Sequence, residues 1–235
     1  MLQELLQDAG GAGNLNGAAI DADLIVINAF SRSRTDEAQG SAFSNDVLEA
    51  MKFIRQIRGN FSVTINLSIA GLQQSTGAYA GNCDAVDPAL TDMVAEMKSY
   101  GIAVVASTGN DYIRGGISFP ACISRVTKVG ASNTGTGDIA PLTNMYYPPF
   151  YTGQFFLAPG TSIESAVPNN SYSLMSGTSM ASPHIAGAIA LVKSALPTAG
   201  VDDVNAYIVA AHSVQSNVAL GNGYVAALRR IKVTQ

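Results

Sequence analysis

Two hydrophobic periods alternate along this chain. Continuous apolar, β-branched runs of strand length occur at Ala22–Phe30, Phe61–Ile69, Ile102–Ala106 and Val126–Ala131. Between and after them the apolar positions repeat every three or four residues. Asn45–Ile57, with Ser44 placed to cap it, repeats them at Val47, Leu48, Met51, Ile54 and Ile57. Pro88–Tyr100 repeats them at Leu90, Met93, Val94 and Met97 and stops at Gly101. A long helix is predicted over Ser179–Leu196, stopped by Pro197, and a last one over Val201–Ala211. Tyr146–Phe156, aromatic and proline-containing, reads as loop plus a short strand. Strand, helix, strand, helix predicts an α/β fold, a parallel sheet with helices on both faces. In such sheets ligands bind at the carboxyl ends of the strands.

Composition narrows the class. The 235 residues suit one domain with a sizeable core, and a charged fraction of only 13% excludes a solvated, disordered chain. A net charge of −4 leaves no electrostatic footprint for nucleic acid, and the basic triplet Arg229, Arg230 and Lys232 reads as a solvated edge. No apolar run is long enough to cross a bilayer, and Met1–Leu6 reads as the middle of a helix rather than a signal peptide. The stretch Gly10–Gly17 follows no strand and lacks dinucleotide-loop spacing, so it reads as a loop. Cys83 and Cys122 are too few for a zinc site without neighbouring histidines.

The sharpest chemical signal is Ser176-Gly177-Thr178-Ser179-Met180-Ala181-Ser182-Pro183-His184. A glycine turn enters a helix whose first turn carries a serine. Unpaired N–H groups and the helix dipole would stabilise an oxyanion formed by attack of Ser179 on an acyl group. A bare Gly-Thr-Ser would equally suit a helix cap. Asn110 ends a buried apolar run after Gly109; it reads either as an amide donor aimed into a cleft or as a turn asparagine.

Gly177–Gly187 is similar, almost residue for residue, to the segment around the nucleophile in the subtilase family of serine peptidases. Further resemblances follow in the family's order. Ile65-Asn66-Leu67-Ser68-Ile69-Ala70-Gly71 resembles the strand end lining the substrate cleft. Val104–Asn110 resembles the strand and turn ending in the oxyanion-hole asparagine, and Leu157-Ala158-Pro159-Gly160 the strand ahead of the serine segment. The resemblance runs from about Asn16 to about Val233. It implies that Ser179 is the nucleophile and that Asn110, with the Ser179 N–H, holds the oxyanion. It also implies that Ser68, Ile69, Ala70, Gly71 and Ser107, Thr108, Gly109 wall the specificity pocket. Peptides or proteins would be the substrates. Calcium is common in the family, but no Asp-rich loop here marks a site and no other cofactor is implied.

The resemblance also implies an absence. The family's triad runs Asp, His, Ser in chain order. Its His-Gly-Thr-His segment would precede Ala22, and no such segment occurs; nor does Asp-Thr-Gly or Asp-Ser-Gly. Asp21, Asp23 and Asp36 lie past the point where the aspartate belongs. The chain's two histidines are His184, about 140° around the helix from Ser179, and His212; both read as structural. The chain therefore reads as a partial catalytic domain over residues 1–235, lacking its N-terminal strands and inactive alone, its missing segment belonging to the same domain. A pseudopeptidase or peptide-binding module is the alternative. An α/β-hydrolase esterase is weaker, because Gly177–Ala181 lacks the second glycine of that elbow. Some secreted subtilases resemble this chain around both cysteines, which implies a Cys83–Cys122 disulfide and a secreted parent protein; two unlinked thiols remain the alternative.

Overall fold

A computed structural model describes residues 17–33, 36–42, 44–71, 78–146, 154–169, 171–219 and 225–231. The Met1–Leu6 start, most of Gly10–Gly17, residues 147–153 of the aromatic loop, Lys232 and the His212 side chain lie outside the described residues.

The elements in chain order are β1 (Phe30–Ser33), β2 (Asp36–Ala42), α1 (Ser44–Ile57), β3 (Thr64–Leu67), α2 (Pro88–Ser99), β4 (Ala103–Ser107), β5 (Thr127–Ser132) and β6 (Phe155–Pro159). They continue with β7 (Ile163–Val167), β8 (Ser171–Met175), α3 (Thr178–Ala195), α4 (Val201–His212), β9 (Ser213–Ala219) and β10 (Val225–Ile231). One sheet carries the fold, in the order β3-β4-β5-β6-β10-β9. Pairings from β3 through to β10 are parallel, and β9 closes against β10 antiparallel. Two antiparallel hairpins, β1–β2 and β7–β8, stand apart from it.

The central strands are apolar on both sides because both sides are covered. Successive residues of β4 face opposite ways. Ala103 and Val105 pack with Val129, Phe156 and Ala158 against Ile185 and Ile189 of α3 and Val204 and Ile208 of α4. Val104 and Ala106 pack the other way, with Val47 and Met51 of α1 and Leu90, Val94 and Met97 of α2. These α1 and α2 residues are the periodic positions of their helices. α2 is also closed at its start, where the Asp87 carboxylate accepts the Leu90 N–H ahead of Pro88.

One predicted strand is not found. Residues 22–29 belong to no strand, with only Phe30 of the run entering β1, and Ile25, Val26 and Ile27 are 58%, 75% and 38% exposed. An apolar, β-branched run gives a segment strand propensity but supplies no partner.

Cys83 and Cys122 are joined by a disulfide, with the Cys83 N–H donating to the Cys122 carbonyl. Beside it the wholly buried Lys128 of β5 donates from Nζ to the carbonyls of Ile123 and Val126. Loss of water lowers its pKa from the ordinary 10.5 to about 7; the Asp84 carboxylate opposes that shift and Lys98 adds to it.

Two outcomes follow from these groups. The unfolded chain holds the Lys128 proton up to about pH 10.5 and the folded chain only to about 7. Stability should therefore rise with pH across that window, by roughly 1.4 kcal/mol per unit at most. Urea titrations at pH 7 to 10 should show this slope and should lose it in Lys128→Met. Replacing both cysteines by serine opens a loop of sequence separation 39. It should cost about 4 kcal/mol in the same measurement if chain entropy dominates.

Candidate active site

The carboxyl ends of β3 and β4 and the amino end of α3 meet at one place, and the meeting is made by polar side chains. Pro183 sits four residues after Ser179 in α3 and has no N–H to give the Ser179 carbonyl. That carbonyl instead accepts the Ser68 hydroxyl at 2.9 Å, just past the end of β3. In return the Ser179 Oγ donates to the Ser68 carbonyl at 3.3 Å. The Ser68 rotor is fixed from behind. The Ser182 hydroxyl donates to Asn66 Oδ1 at 2.6 Å, and Asn66 Nδ2 donates to Ser68 Oγ at 2.9 Å. The chain of bonds begins and ends on α3.

Asn110 lies three residues past β4, exposed, and its amide is oriented by the helix it faces. Its Oδ1 accepts the Thr178 N–H at 2.8 Å and the Thr178 hydroxyl at 3.0 Å. A backbone N–H can only donate, so the amide oxygen must point at α3 and Nδ2 away from it. Among the described residues Nδ2 has no acceptor. Thr178 Oγ1 also takes the Gly109 N–H at 3.2 Å, tying the turn to the helix from both sides. Gly177 makes the approach possible: a Cβ there would lie 3.1 Å from Asn110 Nδ2. At the helix start the Ser179 N–H has no partner among the described residues, as expected of a second-position donor.

The predicted wall segments lie side by side. The Ser107 hydroxyl donates to the Ile69 carbonyl at 3.1 Å, and Gly71 and Phe119 exchange backbone bonds. Ser68 and Ile69 are half-buried, and Ala70 and Gly71 are exposed. Ser107, Thr108 and Gly109 are buried, so that wall presents no side chain to solvent. Thr108 Oγ1 is buried without a hydrogen-bond partner.

His184 is held away from Ser179. Its Nδ1 meets the Met180 carbonyl of its own helix at 2.8 Å. Burial pushes its pKa down, against a smaller upward pull from that carbonyl, so the ring is neutral at pH 7 and donates this bond. Among the described residues no three His, Cys, Asp or Glu side chains converge to hold a metal, so no step is assigned to calcium.

The helix amino end carrying Ser179, the Asn110 amide that faces it and two parallel strand ends thus lie together at one rim of the sheet. The model of the subtilase family matches residues 7–225. The chain belongs to the subtilase family. Subtilisin DY of Bacillus licheniformis is 31% identical over 193 residues, covering 80% of this chain and 60% of that protein. Subtilisin Savinase of Lederbergia lenta is 33% identical over 141 residues, covering 58% of this chain and 49% of that protein. The chain thus spans about half the length of the curated relatives it matches. Among solved structures, a psychrophilic protease (S41) matches with a TM-score of 0.76 at 24% identity, over 95% of this chain and 72% of that one. A cold-adapted subtilisin-like serine proteinase matches with a TM-score of 0.71 at 20% identity, over 94% of this chain and 70% of that one. Both share the fold.

Sequence reasoning singled out Ser179 and Asn110 but missed the groups that aim them. Thr178 was signalled by its place between the glycine turn and Ser179. Asn66 and Ser182 carried no local signal, since their partners are 116 residues apart in sequence.

Thr178→Val should strip Asn110 Oδ1 and the Gly109 N–H of a hydroxyl partner and cost ~1–3 kcal/mol in urea unfolding. Thr178→Ser, which keeps the hydroxyl, should cost much less.

Proposed function

We propose that this chain is the serine-bearing part of a subtilisin-like endopeptidase, hydrolysing peptide bonds through an acyl-enzyme on Ser179. The observation that carries this reading is the pair of unused donors, Asn110 Nδ2 and the Ser179 N–H, beside the Ser179 hydroxyl. In the proposed reaction Ser179 Oγ attacks the scissile carbonyl carbon and its proton passes to a base. The two donors hold the tetrahedral oxyanion. The C–N bond then breaks, the amine leaves with a proton from that base, and water hydrolyses the ester.

The base would come from a segment of the same domain outside these 235 residues. The free edge of β3 supports this: among the described residues β3 is the edge strand of the sheet, and its side chains are only half-buried. A strand added parallel to β3 on that edge would end next to Ser68, whose carbonyl holds the Ser179 hydroxyl. Without such a base the chain would be practically inert; in subtilisin itself, losing the triad histidine costs on the order of 10⁶ in turnover. The disulfide supports an oxidising, extracytoplasmic setting for the parent protein. The wall segments contain no acidic residue, which supports apolar or broad selectivity over a preference for Arg or Lys.

A second reading, a peptide-binding module without cleavage, is favoured by one observation. The Ser179 hydroxyl donates to a carbonyl, which cannot remove its proton, and His184 is committed to Met180.

The test is to read the coding sequence upstream of Met1 and assay the protein with and without that segment on casein. We expect an in-frame His-Gly-Thr-His, hydrolysis only by the extended protein, and loss of hydrolysis in Ser179→Ala. An extended protein that binds casein without cutting it would replace this reading with the second. Faster hydrolysis of short-chain esters than of casein would point to an esterase.

A further inference from the structure

Thr178 orients the side chain of Asn110, but a separate device holds the backbone that carries it. Asn144 lies in the loop between β5 and β6 and is completely buried. Its backbone N–H donates to the Gly109 carbonyl at 2.9 Å. Its Oδ1 accepts the Asp111 N–H at 2.8 Å and the Ile113 N–H at 3.1 Å. Its Nδ2 donates to Asp111 Oδ2 at 2.8 Å and to Ser118 Oγ at 3.2 Å. The residues on both sides of Asn110 therefore end on one residue, Gly109 on the Asn144 backbone and Asp111 on its side chain.

The turn cannot easily take another shape. Gly109 has φ +105, a region that favours glycine, and a Cβ there would run into Asn144 Nδ2 and Ser118 Oγ. The amide of Asn144 is also unambiguous: two backbone donors require its oxygen on one side, and a carboxylate requires its nitrogen on the other.

We propose that Asn144 is the positioning residue of the oxyanion hole, fixing the 109–113 turn so that Asn110 Nδ2 points where the oxyanion forms. It rests on the reading of Asn110 as an oxyanion donor. It acts through Asn110 and does not touch substrate. Misplacing a donor by about 1 Å can cost ~10²-fold in rate. Losing the equivalent donor costs ~10²–10³ in subtilisin, which sets the ceiling.

Two measurements test it. In the completed, extended protease, Asn144→Ala should lower kcat on a peptide substrate roughly 10- to 100-fold with KM nearly unchanged. In an Asn110→Ala background the same change should have almost no further effect on kcat. An equal loss in both backgrounds would mean that Asn144 serves only general stability, and would overturn the proposal. Asp111→Ala, which removes one exposed acceptor of Asn144, should give a smaller kcat loss in the same direction and covers the case in which Asn144→Ala fails to fold. The second measurement needs no activity. In the chain as it stands, NMR of the Asn110 side-chain amide should show a changed shift and greater mobility in Asp111→Ala. Unchanged Asn110 signals would overturn the proposal even if the enzyme proves active. Altered Asn110 signals in a protein that never cleaves peptides would leave the positioning role standing and remove only the protease reading.

Discussion

Everything at this site depends on one carbonyl that its own helix cannot satisfy. Proline at position 183 denies the Ser179 carbonyl its usual partner, and a buried unpaired carbonyl is costly. The Ser68 hydroxyl supplies the missing bond, and that bond docks the amino end of α3 onto the end of β3. Because Asn66 spends its N–H on Ser68 and its oxygen on Ser182, the hydroxyl proton of Ser68 has one direction left to point. A proline that would weaken an ordinary helix here converts a local deficit into a tertiary contact. The contact lies at the residue where position matters most.

The sheet makes such a contact meaningful by fixing where strand ends lie. Parallel pairing to the wholly buried β4 holds the half-buried β3 in register from Thr64–Ala103 to Leu67–Ala106. Ser68 and Asn110 therefore emerge from the same rim with little freedom in height. α3 covers the middle of the sheet with small and β-branched residues, packing Ala181, Ile185 and Ile189 against the strands. Its amino end is brought to the rim where those strands finish. The positive end of the helix dipole, the Ser179 N–H and the Asn110 amide then lie at that same rim.

The covered core was legible in the sequence and the uncovered edge was not. β4, β5, α1, α2 and α3 fall within a residue or two of their hydrophobic patterns, because burial on both faces writes a continuous or 3.6-periodic signal. The β7–β8 hairpin, with irregular exposure and serines at Ser165, Ser171 and Ser173, carried too weak a pattern to be read. The β9–β10 pair was missed as well; Ser213–Ala219 reads as polar chain, and only its register with β10 makes it a strand. Ala22–Phe30 failed in the opposite sense, with strand composition but only its last residue, Phe30, paired in a strand. Ser179 and Asn110 were legible through local motifs, whereas Thr178, Asn66 and Asn144 act through partners between 26 and 116 residues away.

Among the described residues β3 ends the sheet, and its carboxyl end adjoins the Ser179 hydroxyl. Its outer edge pairs with no strand among the described residues, its side chains are only half-buried, and just past its end the Ser179 hydroxyl rests on the Ser68 carbonyl. Fully burying an Ile or Val side chain is worth ~1.5–3 kcal/mol, so completing the burial of half-buried β3 side chains such as Ile65 would draw an added strand to this edge by packing as well as by hydrogen bonds. The same strand could deliver a base only if the Ser179 proton then had a better acceptor than the Ser68 carbonyl. A 3.3 Å bond to a neutral carbonyl is weak enough to be exchanged at little cost. On the proposed reading, Ser179 sits in a resting bond that a correctly placed imidazole would outcompete. Stability and catalysis would be completed by the same segment.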